Sequence, residues 1–399
     1  MSTEKDFLQW LTQKNKLYHR FNELANIFEN FLTDYILVSK ENADEISVRL
    51  EDMLGKCNIP NIYEKGQAVE TYSMLHFLER YRRYQLVYLQ LLENQLIPFA
   101  TLIKHLDIGT GPAPSIFAFS DIIKFYKEFS QKEEPREFFE IEYLPDYVEN
   151  SDSFRNWLHH FTEYANYKNY SGGWEVPYHH GTFRDFESLD FKKLNYNKAL
   201  WQKERVYEAF GANPNYIILE TSKEITVHGR NFISGQLLDK KKNGHRYDVI
   251  SFSYFLTLLE QTKQFKKQIK GCAFALRNNG IIINIGSNND DYFQIAKYIR
   301  RTIQRYKSVN KEFNVSCREV LNEIISYNTH DVFSKRIKQS YEFIINNLEL
   351  LSEKQKIPQK IKKDFDKYIN SGQEENIKDF RLQVFQKRIT STNNDQHTG

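Results

Sequence analysis

The chain is poor in cysteine. Cys57, Cys272 and Cys317 lie far apart among 399 residues, and no Cys-x-x-Cys or Cys/His pair has metal-ligand spacing. That excludes a disulfide framework and a cysteine metal cluster, and reduced structural thiols are the expectation. Charge of one sign is also scarce in excess: 55 Lys and Arg stand against 52 Asp and Glu, a formal net charge of +3. A total so near neutral gives no ground for a nucleic-acid partner. No apolar run approaches the roughly 20 residues that cross a bilayer. The opening MSTEKDF lacks the apolar core of a secretory signal. These absences point to a cytoplasmic protein with no membrane association and no metal site.

Hydrophobic residues make up 40% of the chain, enough for a large core built as one big domain with an appendage. The aromatic share is 15%, with 25 Tyr and 30 Phe. Such a share fits an aromatic core, and also a stacking surface for a flat substrate; composition alone favours the core.

The stretch LIKHLDIGTGPAPS (102–115) organises the rest. Leu102, Ile103, Leu106 and Ile108 supply a short apolar strand. Gly109 and Gly111 permit positive φ and close backbone approach. Pro112 and Pro114 lack N–H donors, which costs nothing in the first turn of a helix. SIFAFSDIIKFYKEF then repeats apolar residues at helical spacing. The product is a strand, a turn and a helix whose N-terminus faces the ligand side. A phosphate loop would need Gly-Lys-Ser/Thr after the turn, and a dinucleotide fingerprint a glycine where Pro114 stands. An ordinary tight turn, with glycine chosen for geometry alone, stays open.

Asp107-Ile-Gly109-Thr110-Gly111-Pro resembles motif I of class I S-adenosylmethionine-dependent methyltransferases. The resemblance implies an α/β fold: a Rossmann-like, doubly wound, mainly parallel sheet of the seven-stranded type. It implies S-adenosylmethionine as cofactor, with Asp107, Gly109, Thr110 and Gly111 around its methionine part. RYDVISFSYFLTLLE (246–260) is a second landmark, an apolar strand opened by Asp248 and similar to family motif IV. It adds Ser251 and Ser253 to the cofactor set. Asp/Asn-Pro-Pro-aromatic and Pro-Cys, which mark methylation of base amines and of cytosine C5, are both absent there. KQIKGCAFALRNNGIIINIGSN (267–288) reads as helix, turn and buried strand, with Asn279-Gly280 in place of the family's Pro-Gly-Gly turn.

In the family an acid ending the second strand holds both ribose hydroxyls, since two acceptor oxygens match a vicinal diol. With FFEIEYL (138–144) as that strand, the acid is Glu142, with Asp146 second. GGWEVPYHHGTFRDF (172–186) becomes the third strand and its loop, with Asp185 on the adenine amino group and Phe186 or Phe183 on the ring. A rival alignment takes NYIILETS (215–222), ending in Glu220, as the second strand and FISGQLLD (232–239) as the third. The first alignment leaves room for a whole helix between strands. It makes 187–245 an insertion of helix and β-hairpin.

Residues 1–98 read as a helical cap or substrate lid on a methyltransferase-like domain at 99–390, with a polar tail at 391–399. Its long helix, about 67–96, carries Tyr81, Tyr84 and Tyr88, either core or near the cofactor mouth. Ser316-Cys-Arg-Glu319 reads as a capping box opening a helix. Helices near 333–352 and 358–370 follow, then DFRLQVFQKRI (379–389) as a closing strand.

The function this implies is methyl transfer by direct displacement to an oxygen or nitrogen of an undetermined substrate, a small molecule ahead of RNA. No residue compels a catalytic role; His179, His180 and Tyr254 are the candidate bases. The alternative is a non-catalytic methyltransferase-fold module for binding or ribosome assembly. RNA would enter through KYIRRTIQRYKSVNK (297–311), six basic residues with no acid and two tyrosines interleaved. A solvated helix face is the plainer reading. If the stretch binds RNA, changing Arg300, Arg301 and Arg305 to Gln should flatten the salt dependence of retention, because phosphate contacts release counterions. Failure of the unaltered protein to retain RNA at low salt would remove RNA as a partner.

Overall fold

The computed structural model describes residues 4–13, 15–55, 63, 65–99, 102–133, 142–170, 247–305, 313–351, 363 and 379–391, with the short strands 178–179, 217–218, 224–227, 230–233 and 307–309. Four helices come first: α1 (Glu4–Gln13), α2 (Lys16–Phe31), α3 (Lys40–Gly55) and α4 (Ala68–Glu93). Then follow β1 (Leu102–Ile108), α5 (Pro114–Glu133), β2 (Glu142–Val148), α6 (Asp152–Tyr167) and β3 (Tyr178–His179). Three short strands, β4 (Ile217–Ile218), β5 (Glu224–Val227) and β6 (Arg230–Ile233), precede β7 (Tyr247–Ser253). The rest is α7 (Leu259–Gln264), α8 (Lys266–Ala275), β8 (Leu276–Ser287), α9 (Asp290–Gln304), β9 (Lys307–Val309), β10 (Phe313–Ile325), α10 (Val332–Leu351) and β11 (Phe380–Ser391).

Eight described strands form the main sheet in the order β3–β2–β1–β7–β8–β11–β10–β9. β3, β2, β1, β7 and β8 run parallel. β11 lies antiparallel to both β8 and β10, and β9 antiparallel to β10. The doubly wound, mainly parallel sheet expected from the sequence is present, with β9 as an extra edge. Its order reverses between β1 and β7. That reversal is a switch point, where ligands of open α/β sheets bind beyond the carboxyl ends of the strands.

Alternation along the strands builds two apolar layers. Ile281, Ile283 and Ile285 of β8 join Ile103, Tyr143 and Val249 on one face, with side chains of α1 to α6 and α10. Ile282 turns to the other face with Leu106, Ile108, Ile250 and Phe252, under Cys272 of α8 and Ile295 and Ile299 of α9. A strand covered on both faces is continuously apolar, which is why β1 and β7 are legible as runs. Asp248 interrupts the run for a structural reason. It accepts from Arg277 Nη1 at 2.9 Å and from the Lys104 backbone N–H at 2.8 Å, pinning the amino end of β7 to both neighbours.

Four expectations need correction. β2, described over Glu142–Val148, runs past residue 144, so Glu142 does not end the strand; 138–141 lie outside the described residues. The strand runs on through Pro145: prolines are tolerated near sheet edges, and among the described residues β2 takes an outer partner at Asp146 and Tyr147. The rival second strand at 215–222 holds β4, which pairs antiparallel with β5 in a separate three-stranded sheet. Ser316–Glu319 opens no helix; it lies inside β10, whose long pairing with β11 overrides the local capping pattern. The basic run 297–311 is not one helix: α9 ends at Gln304, β9 takes 307–309, and Arg300 pairs with Glu319 at 3.3 Å. The helix read at 358–370 lies outside the described residues, apart from residue 363.

Ionic contacts fix the helices against each other. Arg336 of α10 reaches Glu29 of α2 through Nη1 at 2.6 Å and Nη2 at 3.0 Å, with Asn22 and Asn26 each at 2.7 Å. Deeper in, Arg20 Nε of α2 donates to Asp121 Oδ1 of α5 at 2.7 Å. Oδ2 accepts from the hydroxyls of Tyr81 of α4 and of Tyr170. Arg20 and Asp121 are both buried, and without Asp121 the Arg20 charge keeps the half-exposed Glu23, at 2.7 Å, as its ion-pair partner among the described residues. Asp121→Ala should cost about 3–5 kcal/mol in urea unfolding, against about 1 kcal/mol or less for the exposed Lys263–Glu260 pair.

Candidate functional site

The site is built on Asp107, next to last in β1 and fully buried. β1 and β7 pair so that Asp107 stands level with Ser251. Ser251 Oγ donates to Asp107 Oδ1, and Thr110 Oγ1 donates to Oδ2 at 2.6 Å. One carboxylate thus ties the strand neighbour to the glycine turn. Ser251 Oγ also lies 2.7 Å from His105 Nε2, and His105 Nδ1 lies 2.8 Å from the Tyr143 hydroxyl. Since Ser251 gives its proton to a carboxylate, it accepts from His105 Nε2–H, and Nδ1 accepts from Tyr143. Burial pushes His105 down to about 3, which fixes it as the neutral imidazole this chain requires. Ser115, at the start of α5, joins at 3.1 Å from Ser251 Oγ and 2.9 Å from the Tyr88 hydroxyl.

The turn has φ +66° at Gly109 and +50° at Gly111. A Cβ on Gly109 would come within 2.5–2.7 Å of the Phe255 side chain, so that glycine lies directly under an aromatic ring. A Cβ on Gly111 would meet only Phe154, at 3.8 Å. The Gly111 N–H donates to Glu149 Oε2 at 3.0 Å, and Glu149 Oε1 accepts from the N–H groups of Asn150 and Ser151 at 2.8 and 3.0 Å. Glu149 follows β2 directly and precedes the N-terminus of α6, whose cap is Ser151. A carboxylate there is favoured by the helix dipole.

Tyr254 follows β7 with φ +55°. Bulky side chains resist that region at a cost of about 1–3 kcal/mol, and such strain gathers at working sites. Its hydroxyl accepts from Arg83 Nη1 of α4 at 2.6 Å.

Asp107, Gly109, Thr110, Gly111 and Ser251 thus come together at the carboxyl ends of β1 and β7. Glu142 stands at the opposite end, level with Leu102. Asp146 is buried within β2 and accepts from the Tyr247 hydroxyl at 3.2 Å. The acid beyond the end of the strand is Glu149, which the sequence reading missed. Its signal was present: an acid just ahead of a serine N-cap, hidden by ending the strand at residue 144. Ser253 closes β7 by its backbone, while its side chain, the side chain of His179, and His180, Asp185, Phe183, Phe186 and Glu220 lie outside the described residues. Tyr81, Tyr84 and Tyr88 are fully buried in the core. Arg80 and Arg83 of α4 instead lie beside Tyr254, and Tyr72 packs on Phe154. Among the described residues no group of three His, Cys, Asp or Glu could hold a metal ion, and no helix is long and apolar enough to cross a membrane.

No protein-family model matches the chain, and no curated protein matches it significantly. Similar solved structures include a SAM-dependent methyltransferase from Thiobacillus denitrificans in complex with S-adenosyl-L-homocysteine, at 8% identity over 84% of this chain and 99% of that one, TM-score 0.36. Another, from Geobacter sulfurreducens with the same ligand, has 8% identity, coverage of 82% and 98%, and TM-score 0.35. The cyclase SpnF has 8% identity, coverage of 77% and 80%, and TM-score 0.37. At these values, what this chain does rests on its own residues.

The buried imidazole gives a pH test. The folded-state value of His105 is about 3 against an ordinary 6.5, so the unfolded chain takes up the proton first. Its stabilising contribution is complete above about pH 6.5 and is lost as pH falls toward 3. His105→Gln should remove about 2 kcal/mol of the fall in unfolding free energy between roughly pH 7 and pH 5. An unchanged pH slope in urea melts would contradict a neutral, proton-excluding His105.

Proposed function

We propose that this protein is an S-adenosylmethionine-dependent methyltransferase that transfers a methyl group to an oxygen or nitrogen of a small-molecule acceptor. The observation that carries the reading is the turn at the switch point of the sheet, held from below by Asp107 and from the side by Glu149. A glycine turn with two positive-φ glycines, one open on its Cβ side, suits close approach of a ligand backbone. Glu149 Oε2 accepts the Gly111 N–H and Oε1 accepts those of Asn150 and Ser151, which places a carboxylate, the group that suits a vicinal diol, beside the turn. The ribose role therefore moves from Glu142 to Glu149, with Gly109 to Gly111 beside the methionine part. The cofactor supplies an electrophilic methyl group on a sulfonium centre.

The chain's own contribution is alignment, which is most of what direct displacement asks of a protein. Phe154, Tyr72 and Tyr254 offer aromatic faces near the turn, a suitable surround for a cation. A base is needed only where the acceptor must lose a proton. Burial pushes the Tyr254 hydroxyl above its ordinary range, so it is a neutral phenol and no ready base.

Phe255 over Gly109 favours a second reading, a methyltransferase-fold module that binds without catalysis. Binding and turnover separate the two. Calorimetry with S-adenosylhomocysteine should show binding, and a methyl-transfer screen on extract split into RNA, protein and small molecules should show consumption of S-adenosylmethionine. Binding without consumption would favour the module. Glu149→Ala should weaken S-adenosylhomocysteine by roughly 1.5–3 kcal/mol, about one to two orders of magnitude in Kd, and Glu142→Ala should leave it unchanged. The reverse result would return the ribose to Glu142 and refute this placement of the site.

A further inference from the structure

β10 is paired on both sides over only part of its length. β11 lies along all of it, Phe313–Ile325, while β9 pairs with Asn314, Val315 and Ser316 alone. Among the described residues, 317–325 of β10 therefore form an open edge of the main sheet. An edge strand presents unpaired N–H and C=O groups, and proteins commonly blunt it with lysine or proline. Residues 317–325 contain neither. They expose apolar side chains instead: Val320 is 37% exposed and Ile324 48%.

A β-bulge decides which residues of this edge share a face. Opposite β11, Glu319 is level with Phe385 and Leu321 with Val384, so Val320 is an extra residue in the ladder. The alternation of sides shifts there. Before the bulge, Cys317 packs into the layer of α8 and α9, and Glu319 pairs with Arg300 of α9. After it, Leu321 enters the other layer, and Glu323 accepts from Gln90 of α4 at 3.0 Å. Counted through the bulge, Arg318 stands two ladder positions before Leu321 and Glu323 two after it. Period-two alternation puts all three on the α4 side. Arg318 and Glu323 are both exposed. Among the described residues Arg318 makes no ion pair, and Glu323 meets the neutral Gln90 and no cation.

We infer that this edge is a docking surface for a second copy of the chain, the two β10 strands pairing antiparallel about a two-fold axis at Leu321. The observation that selects this partner is self-complementary charge. Pairing through the bulge sets Arg318 of each copy opposite Glu323 of the other on one face of the sheet, so the ion pair is made twice. Glu319 falls opposite Asn322, and the two faces stay continuous across the junction. Pairing that ignored the bulge would set Glu319 against Glu323, a like-charge contact. The edge lies three strands from β7, so the inference does not depend on the methyltransferase reading. One strand pair covers less than the roughly 1,600 Å² of a standard interface, which makes the dimer weak and concentration-dependent.

Sedimentation velocity on the full chain over a dilution series tests this. The unaltered chain should pass from one chain's mass to twice that mass as concentration rises. Arg318→Glu and Glu323→Arg should each move the midpoint about ten-fold or more toward higher concentration, and Arg318→Glu combined with Glu323→Arg should bring it back. The single-variant effect should shrink at high salt. Amide exchange over 317–325 of the unaltered chain should slow as the dimer forms, which locates the contact even where a variant does not fold. A monomer at every concentration would overturn the inference and leave the edge to a different partner. So would a dimer whose exchange at 317–325 is unchanged, or one indifferent to both single variants. A double variant as weak as the singles would deny the register about Leu321 and with it the proposed pairing.

Discussion

A buried carboxylate must be satisfied, and the way Asp107 is satisfied fixes the centre of this molecule. It has no exposed surface. An isolated charge there would be too costly to keep, so its two oxygens need donors, and the nearest are Ser251 on the adjoining strand and Thr110 in the turn. The same bonds that neutralise the cost lock β1 to β7 and set the path of Gly109 to Gly111. Behind Ser251, the neutral His105 and the Tyr143 hydroxyl complete a chain with one consistent set of donors. A fully satisfied buried network specifies a single arrangement. The turn is therefore rigid where a ligand would need it rigid.

α4 is held by buried polar contacts in the same way. Its buried side bonds Asp121 through Tyr81, and Asp121 is in turn gripped by Arg20 of α2. α10 closes over α2 through Arg336 and Glu29, and over α4 through the Tyr341 hydroxyl, which donates to the Leu75 carbonyl at 2.7 Å. These contacts couple the amino-terminal helices to segments more than two hundred residues later. The helices before β1 and the sheet consequently share one apolar layer.

The carboxyl end of β7 is where the chain departs from ordinary geometry. Positive φ at Tyr254 swings one ring toward Arg80 and Arg83, and the next residue, Phe255, covers Gly109. Two consecutive aromatic residues thus serve the two halves of the site. One lies against Arg80 and Arg83 and the other over the glycine turn.

Much of this was legible in the sequence. The turn DIGTGP, the apolar strands on either side of the switch point and the closing strand near residue 380 follow from local chemistry: apolar runs buried on both faces, and glycines where only positive φ will do. Short-range rules failed where long-range pairing decided. The strand read at 138–144 runs on through Pro145 to Val148 once β1 is laid beside it, so the acid beyond its end is Glu149 and not Glu142. Ser316 to Glu319 looks like a helix cap until β11 pairs with it. The face of α4 that meets the site could not be read from spacing, because aromatic residues ring the helix and only packing shows that Tyr81, Tyr84 and Tyr88 are core while Tyr72 borders the turn. Nor does any local signal put a tyrosine at φ +55°. The sequence by itself determined the sheet and its turn, since those depend on residues near each other in the chain; which side chains face the ligand was decided by tertiary structure, since that depends on strands and helices brought together from far apart.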